Sequence, residues 1–111
     1  MTRLVAIAAA LAFLVALPAS AQAATCTPPK YPGSGYFTSL KATKVSCGEA
    51  SKVALAFHKC RTKRGDSGRC VSKVRKYSCR EKRTTISTEI NGRVTCTYGK
   101  KKVELTYQQN T

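Results

Sequence analysis

Six cysteines constrain this chain more than any other feature, because all of them follow a segment with the composition of a secretory leader. They are Cys26, Cys47, Cys60, Cys70, Cys79 and Cys96. An even number of thiols in a short exported chain predicts a disulfide framework. We therefore expect a small domain that is held together by three disulfides.

Residues 1–23 follow the order of a secretory signal peptide. Arg3 supplies the positive charge, an apolar run of 14 residues follows at Leu4–Leu17, and Ala21-Gln22-Ala23 is a small-residue cleavage site. The apolar run is shorter than the roughly 20 residues that a membrane-spanning helix needs. We predict cleavage near Ala23 and a secreted, extracellular product without a transmembrane segment.

The mature chain is short and strongly basic. The sequence has 20 Lys and Arg against 5 Asp and Glu, and loss of Arg3 with the leader changes the net charge from +15 to +14. So short a chain buries little apolar surface relative to the conformational entropy lost on folding, about 1.5 kcal/mol per residue. Each disulfide contributes about 3 kcal/mol in the chain-entropy model. Three of them therefore decide whether such a domain folds.

Local patterns divide the mature chain into an arm and one domain. Residues 24–35 are rich in proline and glycine and predict an extended arm, and residues 36–111 predict a single domain. Ser46 and Glu49 form a capping-box pattern, in which each residue bonds to the amide of the other and a helix begins. One apolar stripe of that helix consists of Ala50, Val53, Ala54 and Phe57.

The predicted fold is a small α+β, two-layer, disulfide-stapled domain with one helix on a mostly antiparallel sheet, in the order β-α-β-β-β. Strands are predicted at residues 36–45 and, after the helix, from residue 73 onward as a meander. A loop at Asn91-Gly92 places Ile86 opposite Cys96, and a loop at Lys100-Lys101 places Cys96 opposite Leu105. The apolar face that the helix covers is predicted to contain Ile86, Val94, Cys96, Tyr98, Val103, Leu105 and Tyr107.

Six cysteines allow 15 pairings, and the order of the elements favours one of them. Two cysteines flank the turn-rich loop 61–69 and are near neighbours. A helix that runs back along the sheet brings its first cysteine near the end of the next strand, which leaves one further pair. The predicted disulfides are Cys60 with Cys70, Cys47 with Cys79, and Cys26 with Cys96.

One pattern of cysteines and apolar residues resembles a loosely defined group of small, secreted, uncharacterised proteins of actinobacterial type. It reads Leu40-x-Ala42-x-x-Val45-Ser46-Cys47-x-x-Ala50-x-x-Val53, followed by Cys79, Val94-Thr95-Cys96 and Val103-x-Leu105. The resemblance covers residues 26–107 and implies a core rather than a chemistry, so it transfers no catalytic residue. Lys76-Tyr77-Ser78-Cys79 lacks a glycine that the group places before the aromatic residue, and Cys60 and Cys70 add to the group's four cysteines.

The sequence contains no recognisable catalytic or metal-binding pattern. The cysteines are 21, 13, 10, 9 and 17 residues apart, unlike the close pairs of a zinc site. His58, the one histidine, is expected to face solvent at the helix end, and with Glu49 it offers little of the acid and base chemistry that a hydrolase needs. We therefore predict neither an enzyme nor a metal or cofactor.

Clustered positive charge is the remaining signal. Residues 59–83 hold eleven cations against Asp66 and Glu81, a net charge of +9. These candidate anion-binding residues are Lys59, Arg61, Lys63, Arg64, Arg69, Lys73, Arg75, Lys76, Arg80, Lys82 and Arg83. They predict a basic rim, which either keeps the protein soluble or binds polyanions. Tyr77 lies among them, but one ring that can stack on a base does not make a nucleic-acid platform.

Two functions are compatible with this charge. The first is a non-enzymatic module that binds anionic cell-surface or extracellular polymers, or an anionic membrane surface, without reading nucleic-acid sequence. The second is a cationic antagonist, which either acts on membranes or inhibits a protease by presenting the loop 61–69, with Lys63-Arg64, to a trypsin-like pocket. The first interpretation is the one that we favour.

Overall fold

One helix lies on one face of a five-stranded antiparallel sheet. A computed structural model describes residues 22–111, so the predicted leader lies outside the described residues apart from its last two. The elements are β1 (Ala24–Thr25), β2 (Gly35–Thr43), α1 (Cys47–Thr62), β3 (Ser78–Ile86), β4 (Glu89–Tyr98) and β5 (Lys101–Asn110). The strands are arranged β1-β2-β5-β4-β3, and each neighbouring pair is antiparallel. The predicted α+β fold is confirmed. The predicted order β-α-β-β-β corresponds to β2, α1, β3, β4 and β5, and the short strand β1 precedes it.

Helix α1 begins where the capping pattern places it. The backbone of Ser46 is extended, and its Oγ accepts a hydrogen bond from the Glu49 amide at 3.1 Å. The second half of the capping box does not form, because the Glu49 carboxylate pairs with Arg75 instead. The predicted apolar stripe, Ala50, Val53, Ala54 and Phe57, is buried, and the helix packs on β2 and β5.

The strand β3 does not have its predicted register. It turns into β4 at Ser87-Thr88 rather than at Asn91-Gly92, so Cys79 instead of Ile86 lies opposite Cys96. The displacement is an odd number of residues, and it therefore exchanges the two faces of β3. Ile86, predicted in the core, is half exposed as a result.

The register of the next hairpin differs from the prediction by an even number of residues, so each side chain stays on its predicted face of the sheet. The turn is at Gly99-Lys100, so Cys96 lies opposite Val103 rather than Leu105. All predicted core residues of β4 and β5 are therefore buried except Tyr98, which lies at the end of its strand. The buried set is Val94, Cys96, Val103, Leu105 and Tyr107.

Gly92 lies inside β4 because a buried ring occupies the space of its side chain. Gly92 is opposite Tyr107 on β5, and a Cβ at Gly92 would lie 2.1 Å from Cε1 of that ring. The glycine therefore serves close packing here rather than a turn. This role makes Asn91-Gly92, a frequent turn signal, misleading in this chain.

One of the three predicted disulfides is confirmed and two are wrong. The bridges are Cys26–Cys47, Cys60–Cys70 and Cys79–Cys96. The predicted pairs Cys47 with Cys79 and Cys26 with Cys96 do not form, because strand positions decide the partners. Cys26 follows β1, which pairs with β2 at the sheet edge near the start of α1. Cys79 and Cys96 are directly opposite each other on neighbouring strands.

Residues 24–35 lie against the domain. Their first two residues form β1, and the amide of Cys26 donates to the carbonyl of Leu40 at 2.9 Å. Tyr31 is buried, with its ring edge-on to Phe37 at a centroid separation of 5.0 Å. This segment therefore contributes to the core as well as to the sheet.

We expect Gly92→Ala to destabilise the protein by about 1–3 kcal/mol, because the new methyl group overlaps the Tyr107 ring and forces it to move. Gly48→Ala is the matched control, since its Cβ has 3.9 Å to the nearest atom, Oγ of Ser46. That helix substitution should be neutral or stabilising. Denaturant unfolding of the two oxidised variants measures both effects, and equal stability would contradict the packing role of Gly92.

Candidate anion-binding surfaces

The eleven predicted anion-binding cations have three different environments. Arg61 and Arg83 are buried, which corrects the prediction that they contact an external anion. Arg75 is paired with Glu49, at 3.2 Å from its Nε to the Glu49 Oε1. The other eight are exposed and consist of Lys59, Lys63, Arg64, Arg69, Lys73, Lys76, Arg80 and Lys82.

Arg61 lies at the centre of a buried polar cluster at the end of α1. It is 1 % exposed, and its Nη1 donates to the Asp66 carbonyl at 2.7 Å. Its Nη2 donates to the Tyr31 hydroxyl at 2.9 Å and to Oε1 of Gln109. The guanidinium carbon lies 4.5 Å from the centroid of the Tyr107 ring. These hydrogen bonds and the contact with the Tyr107 ring stabilise the buried positive charge of Arg61 without a carboxylate partner.

Arg83 forms a second buried cluster on the inner face of β3. Its Nε lies 2.5 Å from Oε2 of Glu81, and its Nη1 and Nη2 donate to the carbonyls of Ser67 and Gly68 at 2.9 Å and 2.7 Å. The Tyr107 hydroxyl donates to the other Glu81 oxygen at 3.1 Å. Burial, as the main cause, raises the pKa of Tyr107 to about 12, so its hydroxyl stays protonated.

These clusters fix the backbone of the loop 61–69 from its inner side. Three consecutive carbonyls, of residues 66, 67 and 68, accept hydrogen bonds from Arg61, Arg83 or Gln109. Within the loop, the amide of Gly68 donates to the carbonyl of Gly65 at 3.0 Å.

Three cations surround the outer side of this loop. Lys63, Arg64 and Arg69, together called the loop patch, border a depression of about 350 Å³ above the Cys60–Cys70 disulfide. Val71, which is 92 % exposed, lies at its edge. Nη1 of Arg69 is 4.0 Å from Glu81, and the Arg69 side chain remains 61 % exposed. The loop patch therefore presents three cations on a braced backbone.

A tight turn at residues 74–77 replaces the start of the meander that was predicted from residue 73 onward, and β3 begins at Ser78. Val74 and Tyr77 exchange backbone hydrogen bonds of 3.0 and 2.8 Å, and Arg75 and Lys76 between them have φ values of 48° and 71°. Positive φ at both central residues is the geometry of a type I′ turn. The hydrogen bond from Arg75 lowers the pKa of Glu49.

The exposed ring in this region is Tyr98 rather than Tyr77. Tyr77 is 2 % exposed and cannot stack on a ligand, whereas Tyr98 is 45 % exposed. Their ring centroids are 5.7 Å apart, and Nζ of Lys101 lies 6.0 Å from the Tyr98 centroid. The sequence pattern missed Tyr98 because its inward parity suggested burial, although it ends β4.

The uncovered face of the sheet carries further cations. Strand alternation places Arg80 and Lys82 on this face of β3, because the neighbouring Cys79, Glu81 and Arg83 face inward. Two adjoining depressions of about 300 and 370 Å³ cross the strands and share Arg93 and Thr106. We call them the sheet groove. The side chains of interest there are Thr38, Ser39, Lys41, Lys82, Arg93 and Thr106.

His58 is buried rather than exposed to solvent. Its ring lies edge-on to Tyr31 at a centroid distance of 4.6 Å, and its Nδ1 has no hydrogen-bond partner. Burial, followed by the nearby charge of Arg61, lowers the pKa of His58. Within residues 22–111, no three His, Cys, Asp or Glu side chains are grouped to hold a metal ion. No helix among these residues is long and apolar enough to span a membrane.

Comparisons with known proteins identify no relative of this chain. No family model, curated protein or solved structure matches it. The resemblance to the actinobacterial group therefore remains a prediction. The geometry of the described residues carries the functional argument.

Arg61→Met should destabilise the protein by about 3 kcal/mol or more, because buried acceptors on Tyr31, Gln109 and the loop lose their donor. Lys63→Met removes one positive charge two residues away, at an exposed position, and should change stability by less than about 0.5 kcal/mol. Urea unfolding of both variants tests the difference. Similar values would show that Arg61 does not brace the loop.

Stability should decrease as the pH falls below about 6.5, the ordinary pKa of an exposed histidine. The unfolded chain binds a proton at His58 before the folded protein does, so acidification favours unfolding until the lower folded pKa is reached. One proton gives a slope of at most about 1.4 kcal/mol per pH unit. Arg61, Asp66 and Tyr31 are the titratable groups around His58.

His58→Gln should remove this slope between pH 6.5 and the acidic range where carboxylates titrate, since the sequence contains one histidine. Unfolding free energies of wild type and variant across this range provide the measurement. A slope that persists in the variant would assign the pH dependence to another group.

Proposed function

We propose that this protein is a non-enzymatic module that binds anionic polymers through the loop patch. The observation that carries the proposal is the bracing of the loop 61–69. A disulfide closes the loop, and buried guanidinium groups hold three of its carbonyls from within. The cations of the loop patch remain on its outer side. The three disulfides are consistent with an extracellular location.

A braced loop lowers the cost of binding. Ordering a flexible segment on a ligand reduces affinity, and this loop is ordered before the ligand arrives. The loop patch therefore presents its three positive charges on a backbone that is already ordered.

The overall charge of the protein supports the same function. Its five acidic residues leave a net charge of +15 for the whole sequence. Two of these acids, Glu49 and Glu81, already pair with Arg75 and Arg83. Most exposed cations are thus free to attract a polyanion from solution, with an attraction that salt screens.

Neither form of the antagonist is favoured by the geometry. Lys63 has helical backbone angles of φ −55° and ψ −30°, and the loop continues in turns at Gly65 and Gly68, whereas a protease cleft takes an extended segment. Membrane insertion requires a broad apolar face beside the cations, and Val71 is a single exposed apolar residue there. Attachment to a polymer requires neither feature.

Replacement of Lys63, Arg64 and Arg69 by glutamine should weaken polymer binding through loss of three phosphate or sulfate contacts. The control replaces Lys59, Lys73 and Lys76, which are equally charged and exposed but lie outside the depression. Retention of each oxidised variant on heparin, duplex DNA and bacterial wall polymer is measured across a salt series. On duplex DNA, the slope of log K against log salt should fall by about 2.7 in the loop-patch variant.

The control variant should keep a steeper slope and elute later than the loop-patch variant. Equal losses of retention in the two variants would mean that net charge alone governs binding and that the loop patch has no specific role. Denaturant unfolding of both variants confirms that the comparison is made between folded proteins.

A further inference from the structure

The uncovered face of the sheet contains an arrangement of charges that folding alone does not favour. Lys82 on β3 and Arg93 on β4 are directly opposite each other, and both side chains point away from the helix. Like charges at directly opposite positions destabilise a sheet. The first depression of the sheet groove, which these two residues border, has no acidic side chain in its lining. Within the lining of this first depression the pair therefore has no acidic neighbour.

Hydrogen-bond donors accompany this pair across the sheet. Oγ1 of Thr106 lies 2.7 Å from Oγ1 of Thr38 and 2.6 Å from Oγ of Ser39, so the three hydroxyls form one cluster beside Arg93. A bulge between Phe37 and Ser39 places Thr38 in this cluster. Lysine, arginine, serine and threonine side chains are the usual partners of phosphate oxygens.

The groove extends beyond a single anionic group. Arg93 and Lys41 border the second depression, and they lie on strands separated by β5 and are offset by two residues. Strand spacings place their Cα atoms about 12 Å apart. Glu104 lies directly opposite Lys41 and diagonally from Arg93 on the same face, so it lowers the positive potential between these two cations. Two separated cationic positions suit a chain of anionic groups rather than one ion.

We propose that the sheet groove is a second anion-binding site, which takes a phosphodiester polymer that carries no bases. Its hydroxyl donors fit a phosphodiester chain, and stacking on a base requires an exposed ring. Among the residues that line the two depressions, the one aromatic residue is Tyr107, and its side chain is buried on the opposite face. Tyr36, which is 63 % exposed, lies opposite Gln108 on the uncovered face but lines neither depression. Base stacking on such rings is a main source of affinity in proteins that bind single-stranded nucleic acids.

The two sites lie on different sides of the domain. The loop patch follows α1, whereas the sheet groove is on the face that α1 leaves uncovered. One protein molecule can therefore hold two polymer chains, and this consequence rests on the proposed function of the loop patch. The groove itself is an independent site.

The test measures whether one protein joins two chains. Poly(glycerol phosphate) is immobilised on beads, the oxidised protein is bound at low salt, and capture of fluorescent poly(glycerol phosphate) is then measured. Wild type should capture the labelled chain. The groove variant, Lys82→Gln with Arg93→Gln, should still bind the beads but capture several-fold less. Its unfolding midpoint should be unchanged or higher, because the like-charge pair is removed.

Matched variants separate this proposal from the one before it. Lys59→Gln with Lys73→Gln removes the same charge outside both sites and should capture the labelled chain as wild type does. Wild type that does not bind the beads would overturn both proposals, because the groove is an independent site for the same polymer. Capture at the wild-type level by the variant with glutamine at Lys63, Arg64 and Arg69 would overturn the proposed function of the loop patch alone. Bead binding with undiminished capture by the groove variant would overturn the second site alone.

The chemistry of the ligand is tested with two competitors. Single-stranded DNA of equal phosphate number and heparin are added during capture, each at matched charge. We expect both to displace labelled poly(glycerol phosphate) less effectively than the unlabelled polymer does. Equal displacement by all three would overturn the preference for a base-free phosphodiester chain.

Discussion

Burial of Arg61 and Arg83 beneath the loop 61–69 is the interaction on which the rest of this structure depends. The loop in this position directs three carbonyls inward, and each guanidinium group supplies several donors to them in a fixed geometry. The same hydrogen bonds offset the desolvation cost of the two buried guanidinium groups and order the backbone that carries the loop patch. A basic sequence thus supplies both the internal brace and the external surface.

The disulfides act on different layers of this arrangement. Cys26–Cys47 ties the edge strand to the start of the helix, Cys60–Cys70 closes the braced loop, and Cys79–Cys96 joins opposite positions of two strands. Each closes a short loop, so each constrains the unfolded chain by a similar amount. Together they connect every layer of a domain whose apolar core is small.

Local signals explain which parts of the fold were predictable. The helix follows from a cap and an apolar stripe, both of which lie within one segment of sequence. The disulfides outside the loop depend on β1, a two-residue strand with no pattern of its own, and on the register of β3. Packing sets that register. The ring of Tyr107 occupies the space beside Gly92, so Gly92 lies within β4 and not in a turn. Such pairings between distant segments leave no local trace.

The sequence predicted the candidate site only as a cluster of positive charges. Neighbouring cations of β3 have different environments. Side chains alternate between the two faces of a strand, so Arg83 is buried against Glu81 and Lys82 is exposed on the other face. Arg93 lies outside the basic segment of the sequence, yet it meets Lys82 across the sheet. A cation becomes available for a ligand when folding gives it no internal acceptor. Two of the five acids, Glu49 and Glu81, pair with arginines, and the cations outnumber the remaining acids, so most cations remain at the surface without an internal partner.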